Sequence, residues 1–99
     1  MEYTDLIEKL RALGHEYRLK ILTSLVDGEK YLSEIAKEVG ISRALAKVHL
    51  NKLHEADLVE TRTVLLEDEA RALRYYKLKE FHIEISPSEL KRRKEMNGL

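Results

Sequence analysis

The sequence contains no cysteine, no tryptophan and no glutamine, and it has only one proline. The absence of cysteine excludes a disulfide framework, a CxxC zinc site and a thiol nucleophile. No apolar run approaches the roughly 20 residues that are needed to cross a membrane, and the opening stretch "MEYTDLIEKL" is too acidic for a signal peptide. We therefore expect a soluble intracellular protein, with the cytoplasm as its location.

The chain is short, at 99 residues, and a chain of this length buries only roughly two-thirds of its unfolded surface. We expect a single domain over residues 1–99, with a modest core that dimerisation would supplement. Glutamate, lysine and arginine are abundant, whereas asparagine occurs only at Asn51 and Asn97. This composition is typical of hyperthermophiles and suggests such a source.

Motifs for catalysis and for metal binding are missing as well. The sequence has no glycine-rich phosphate loop and no Ser/His/Asp arrangement with a supporting motif, so we expect neither an enzyme nor a cofactor. His49 and His54 are five positions apart and point in different directions on a helix. His15 stands alone at a helix start, and His82 has only glutamates near it. We expect no metal site, and the sequence leaves open whether an effector binds.

Two helices are predicted in the first third of the chain, over residues 5–13 and 16–26. Thr4 is expected to cap the first of them. A short extended link, "KYL", follows the second helix. This second helix should be the most buried one, because apolar residues cover most of its circumference. These residues are Leu19, Ile21, Leu22, Leu25 and Val26.

A helix-turn-helix is predicted at about residues 33–56. Ser33 is expected to cap a brief helix, "EIAKEV", which Gly40 ends. Ser42 then caps a longer helix that continues to about residue 56. Two helices joined by a tight, glycine-containing turn form this motif.

After this motif the apolar period changes from helical spacing to two. Strands are predicted over residues 58–66 and 72–78, and "EDEAR" joins them into a hairpin. A hairpin that follows a helix-turn-helix is a wing, here at about residues 58–79. The predicted fold class is therefore mainly α with a β-hairpin wing (α+β), a winged helix-turn-helix.

The remaining residues, 81–97, are predicted to form a strand and a helix. The segment "FHIEI" alternates apolar and polar residues, so it could cross to a partner subunit or cover a sheet edge. The capping box "SPSE" at residues 86–89 starts the last helix. Its basic run "KRRK" at residues 91–94 fits a solvated helix, with phosphate contact as the alternative.

The longer helix of the predicted motif has two contrasting faces. Its inward stripe consists of Ala46, His49, Leu50 and Leu53. Its opposite stripe consists of Arg43, Ala44, Lys47, Val48 and Asn51. Although the net charge of the chain is zero, residues 41–52 contain no acid. An outward face gains nothing in water from exposed methyl groups, so this mixture of cations and methyls indicates contact with a partner.

Four stretches together resemble the winged-helix repressors of the ArsR type, especially archaeal members: "LGHEYRLKILTSL", "LSEIAKEVGIS", "VHLNKLHEADLVETR" and "RYYKL". The resemblance covers about residues 10–78, and the order and spacing of the stretches carry it. It implies a homodimeric transcriptional regulator, a repressor that binds an inverted repeat in operator DNA.

In such a protein the helix at 42–56 lies in the major groove of double-stranded DNA. Arg43 and Lys47 then meet phosphates and guanine acceptors, and Asn51 pairs with adenine or reaches a phosphate. The methyl groups of Ala44 and Val48 would meet thymine methyl groups. Val48 could instead pack under the wing or simply be tolerated at the surface. The expected DNA-contacting residues of this helix are Ser42, Arg43, Ala44, Lys47, Val48 and Asn51.

The wing offers three further candidates for DNA contact, Arg62, Arg71 and Arg74. Its tip, "EDE" at residues 67–69, is acidic and would be repelled by phosphate. Either the tip swings clear of the DNA backbone or the wing contributes little. A solvated hairpin without DNA contact is the alternative interpretation.

Family members dimerise through their first and last helices. In the first helix the stripe suited to this role consists of Tyr3, Leu6, Ile7 and Leu10. The alternative is that this stripe packs only within the monomer. Metal sensing through cysteines is common in the family, but this chain has no cysteine and cannot use it.

The sequence is compatible with two other functions. Winged helices also serve as protein-interaction adaptors in transcription machinery, and zero net charge with an acidic wing tip favours this function. The basic face of methyl groups and cations argues against it. A non-specific architectural DNA binder is the third possibility.

Overall fold

The computed structural model describes residues 3–66 and 72–97. The helices of this part are α1 (Tyr3–Leu13), α2 (Glu16–Ser24), α3 (Leu32–Val39), α4 (Arg43–Glu55) and α5 (Pro87–Asn97), and the strands are β1 (Lys30–Tyr31), β2 (Val59–Leu65) and β3 (Ala72–Leu78). The predicted winged helix-turn-helix is confirmed: α3 and α4 form the motif, and β2 and β3 form the wing. Arg71 and the acidic tip at residues 67–69 lie outside the described residues.

The core lies where α2, α3 and α4 meet the inner side of the sheet. Ile21, Ile35 and Leu50 are completely buried there, and Tyr76 of β3 closes the core from the sheet. Each such side chain contributes roughly 1.5–3 kcal/mol through removal of apolar surface from water. All members of the predicted inward stripe of α4 are buried, so that prediction is confirmed.

The turn between α3 and α4 is fixed at both ends, as predicted. Gly40 adopts a left-handed conformation with φ 82° and donates its N–H to the carbonyl of Ala36, a conformation that costs a residue with a Cβ far more. Ser42 follows as the N-cap, and its Oγ accepts from the N–H of Leu45 at 3.1 Å. Because so little chain separates the two caps, α3 fixes the direction in which α4 begins.

The far end of α4 is closed by a Schellman motif. Leu58 N–H donates to the carbonyl of Leu53 at 2.9 Å, and Asp57 N–H donates to that of His54 at 3.0 Å. Asp57 has φ 62°, and Lys79 Nζ donates to its carboxylate at 2.6 Å. This hydrogen bond lowers the pKa of Asp57, and it ties the end of α4 to the base of the wing.

The sheet has the order β1-β3-β2, and both pairings are antiparallel. The hairpin register runs from Val59 opposite Leu78 to Leu65 opposite Ala72. The link "KYL" was predicted to be extended, without a pairing partner being named. The structure adds it to the sheet as β1, where Lys30 lies opposite Tyr76.

Two predicted caps are wrong. Thr4 lies inside α1 and does not precede it, and Ser33 lies inside α3. The N-cap of α3 is Tyr31, whose N–H donates to Glu34 Oε1 at 3.2 Å. The helix begins early because Tyr31 is held in β1, so the last strand residue already sets the extended geometry that an N-cap needs.

The second helix is shorter and less buried than predicted. It ends at Ser24 rather than at residue 26, and Leu19 and Val26 are 50% and 69% exposed. Although α1, α3 and α4 all pack against α2, Leu19 and Val26 remain largely exposed. Three of the nine residues of α2 are buried, a fraction similar to the four of thirteen in α4.

No strand forms in residues 81–86, so the predicted strand is wrong. The alternating apolar residues Phe81 and Ile83 lie beside α2, where they share with Leu19 and Val26 the lining of an apolar cleft of about 490 Å³. The segment faces α2 across this cleft, and its backbone joins no strand among the described residues.

The start of the last helix is predicted correctly, but only half of its capping box forms. Ser86 Oγ accepts from the N–H of Glu89 at 3.1 Å. The Glu89 carboxylate does not return this bond. It accepts from Arg92 at 2.6 Å and from Arg93 at 2.7 Å, and these arginines lower its pKa. Charged donors one turn ahead outcompete a backbone N–H for this carboxylate.

Candidate nucleic-acid interface

The outer face of α4 is open to solvent. Every residue of the predicted outward stripe is exposed, and Val48 is 50% exposed. Half of the Val48 side chain is therefore available to a partner, which does not fit burial under the wing. This face runs along the helix from its capped N-terminus for about three turns.

The cations of this face have no internal partner in the part of the chain that the structure describes. Among the described residues, neither Arg43 nor Lys47 makes an ion pair or a side-chain hydrogen bond. Several lysines elsewhere do, in the pairs Lys9–Asp5, Lys20–Glu16, Lys30–Glu38 and Lys79–Asp57. An anion that binds to the face of α4 therefore need not displace an internal carboxylate.

Arg74 extends this basic face onto the wing. Together with Lys47 it lines a cleft of about 270 Å³ between α4 and the hairpin, whose other lining residues are Leu32, Thr63, Ala72 and Tyr76. Arg74 lies opposite Thr63 in the hairpin register, so both side chains are on the face of the sheet that carries buried Tyr76. The sequence-predicted residues Lys47 and Arg74 are thus brought together.

Arg62 lies on the opposite face of the wing, because it pairs with Tyr75 rather than with a neighbour of Tyr76. Its Nη2 donates to Glu29 Oε1, its Nε donates to Glu29 Oε2 at 3.3 Å, and its guanidinium lies 5.1 Å from the centre of the Tyr75 ring. The hydrogen bond lowers the pKa of Glu29 and raises that of Arg62. The structure therefore separates Arg62 from Arg74 and Lys47.

The predicted dimerisation stripe of α1 divides between two environments. Leu6 is buried in the monomer and Leu10 is partly buried, whereas Tyr3 and Ile7 are each 41% exposed. The guanidinium of Arg93, from α5, lies 5.3 Å from the centre of the Tyr3 ring. The exposed part of α1 is therefore next to the last helix.

His15 is not isolated, contrary to the sequence-based prediction. Its ring centre lies 4.4 Å from that of buried His49, and its Nδ1 accepts from the N–H of Tyr17 as the N-cap of α2. The two histidines are 34 positions apart in sequence, so no local signal could have joined them. Over residues 3–66 and 72–97, no group of three or more His, Cys, Asp or Glu could hold a metal ion.

No helix in the described part of the chain combines the length and the apolar character required to span a bilayer.

Comparisons with known proteins agree with this geometry. Residues 15–61 match the model of the bacterial regulatory protein, arsR family. A relative from the archaeon Methanocaldococcus jannaschii, an uncharacterised HTH-type transcriptional regulator, is 40% identical over 92 residues, which are 93% of this chain and 95% of that protein.

Solved structures show the same architecture. The crystal structure of the transcriptional repressor BigR from Xylella fastidiosa aligns with a TM-score of 0.63 and 29% identity, over 76% of this chain and 70% of that chain. The solution structure of a homodimeric winged helix-turn-helix DNA-binding domain from Mycobacterium bovis aligns with a TM-score of 0.64 and 28% identity, over 75% of this chain and 63% of that chain. The protein therefore belongs to the arsR family of DNA-binding transcriptional regulators.

Proposed function

We propose that this regulator is a repressor that binds an inverted-repeat operator as a homodimer, with α4 of each protomer in the major groove. The observation that carries this proposal is the exposed face of α4, on which methyl groups alternate with cations that have no internal partner among the described residues, and which continues onto the wing at Arg74. Because the proposed target is chromosomal DNA, we place the protein in the cytoplasm, associated with the nucleoid.

The chemistry of the face matches the major groove. Arg43 has the planar, bidentate donor geometry that suits guanine O6 and N7, and Asn51 can pair with adenine N6 and N7. Lys47 provides a charge for a phosphate. The methyl groups of Ala44 and Val48 complement thymine methyl groups, which are the apolar feature of this groove.

The N-terminus of α4 offers a further phosphate contact. Ser42 caps the helix there, and the free N–H groups and the positive end of the helix dipole at such a position favour an anion. The Ser42 Oγ accepts the capping bond, so its hydroxyl hydrogen remains available to a phosphate oxygen.

Dimerisation sets the spacing of the two recognition helices. The homodimeric state of the Mycobacterium bovis domain supports a dimer here, and the exposed residues Tyr3 and Ile7 of α1 offer apolar surface for it. In such a dimer the two copies of α4 would lie about 34 Å apart, one turn of the duplex.

The proposal is tested by fluorescence-anisotropy binding to a pool of random 30-base-pair duplexes at several salt concentrations, followed by sequencing of the bound fraction. If the dimer releases about six to eight counterions, log K falls against log salt with a slope of about −5 to −7. We expect this slope together with enrichment of an inverted repeat. A steep slope without enrichment would mean an architectural binder, and no binding at low salt would favour the protein-interaction adaptor.

The two wing arginines are expected to differ in their effect on binding. Arg74→Ala should reduce the salt slope by about 2 for the dimer, because each protomer loses one phosphate contact. Arg62→Ala removes the same charge but lies on the far face with Glu29, so the slope should stay within about 0.5 of its original value. The measurement is the salt-dependent affinity for the enriched duplex. Equal losses from the two substitutions would contradict the placement of Arg74 at the interface.

A further inference from the structure

Arg18 joins three helices through one guanidinium group. From α2, its Nε donates to the carbonyl of Ala12 at 2.5 Å and its Nη2 donates to that of Arg11 at 3.3 Å, both in the last turn of α1. Its Nη1 lies 3.1 Å from Nδ1 of His49 in α4. The last of these contacts is a side-chain link from the α1–α2 corner to the proposed recognition helix.

The contact with His49 depends on the protonation state of the imidazole. A guanidinium group can only donate hydrogen bonds, so His49 Nδ1 must be the acceptor and therefore carries no proton. An imidazolium ion donates from both nitrogens and has no acceptor. A proton on His49 therefore removes the hydrogen bond and places two cations 3.1 Å apart.

The groups that act on His49 disfavour a positive charge on its ring. The charged and titratable groups that act on the ring are His15 and Arg18 from the α2 side and Lys52 from α4 itself. Tyr17 contributes a neutral ring, with its centre 5.8 Å away. Arg18 and Lys52 also line an open surface cleft of about 400 Å³, whose other charged lining residues are Glu8, Arg11 and Glu55.

We propose that the Arg18–His49 contact is a positioning contact that holds α4 in the orientation needed for DNA, and that it opens when His49 takes up a proton. The inference rests on the proposed function, since the position of α4 matters because that helix reads the operator. Mild acid thus weakens operator binding through a group that does not itself touch DNA.

The direction of the pH effect follows from burial. Burial first, and then the nearby His15, Arg18 and Lys52, lower the pKa of His49 below its ordinary value of 6.5. The unfolded chain therefore binds this proton more readily than the folded chain. The stability that neutral His49 provides is fully present above about pH 6.5. As the pH falls from there toward the folded pKa, the folding constant decreases by up to about tenfold per pH unit.

The experiment measures the affinity for the enriched inverted repeat from pH 8 to pH 5 at constant ionic strength. We expect the affinity of the wild-type protein to fall once the pH drops below the folded pKa of His49, by up to about tenfold per pH unit for each protomer, since each protomer of the dimer takes up one such proton. His49→Gln, which retains a neutral acceptor at every pH, should flatten this dependence. His54→Gln removes an exposed histidine from the same helix and should leave it unchanged.

Retention of the full pH dependence in His49→Gln would overturn the inference. A second measurement needs no variant: in an NMR titration of the free wild-type protein, the α4 amide shifts should follow the titration of the His49 ring. Amide shifts of α4 that do not change with the His49 titration would also overturn the inference. Absence of operator binding at every pH would refute the proposed function instead. The NMR titration would then test only whether the Arg18–His49 contact opens when His49 is protonated.

Discussion

Replacing Arg43 with alanine is expected to weaken binding to the enriched inverted repeat by roughly 30-fold to 10⁴-fold. Arg43 is the first residue of α4, is exposed and has no internal partner among the described residues. A base-reading arginine contributes about 1–3 kcal/mol, and a dimer carries the substitution twice. Competition binding against duplexes changed one base pair at a time would measure the affinity and the preference at each position.

The pattern of loss distinguishes a base contact from a phosphate contact. A base contact predicts relaxed preference at one symmetric pair of operator positions, and it predicts that Arg43→Lys recovers little, because lysine lacks the bidentate geometry. Lys20→Ala is the matched control, since it removes an exposed charge from α2 that pairs with Glu16. A uniform loss over all sequences, with recovery in Arg43→Lys, would assign Arg43 to a phosphate.

The other large effect is expected at the proposed dimer interface. Ile7→Glu should raise the dissociation constant of the dimer by at least about 10²-fold, because an unpaired charge buried at an interface costs about 3–5 kcal/mol. Ile7 is 41% exposed in the monomer, so the substitution leaves the fold of the protomer intact. Sedimentation velocity would report the oligomeric state, and operator binding should fall to that of a single half-site.

Val26→Glu provides the control for this experiment. It places the same charge on an apolar residue of high exposure that lies outside α1. The dimer should survive this substitution. If Val26→Glu dissociates the dimer and Ile7→Glu does not, the interface lies on the apolar cleft beside α2 and not on α1.

Local patterns predicted the parts of the fold that local physics determines. The two faces of α4 follow from a period of 3.6 residues, and Gly40 and Ser42 have conformational and hydrogen-bonding properties that few other residues share. These signals placed α4 and its ends correctly. The same rules failed at Ser33, because tertiary pairing of β1 moved the cap to Tyr31.

The parts that the sequence did not predict depend on contacts between distant residues. Arg62 was grouped with Arg74 because both lie in the hairpin, but the strand register places Arg62 on the far face, where it donates to Glu29. The proximity of His15 and His49 likewise has no sequence signature. Apolar character alone also gave no indication that Leu19 would be half exposed, since a helix pattern does not state how many sides are covered.

We expect two copies of α4 to read the major groove of an inverted repeat. Methylation interference at guanine N7 tests it most directly, because N7 lies in the major groove. We expect two symmetric clusters of interfering guanines whose centres are about 10–10.5 base pairs apart, with one symmetric pair lost in Arg43→Ala. Interference without paired clusters, or an Arg43→Ala pattern identical to that of the wild-type protein, would contradict it.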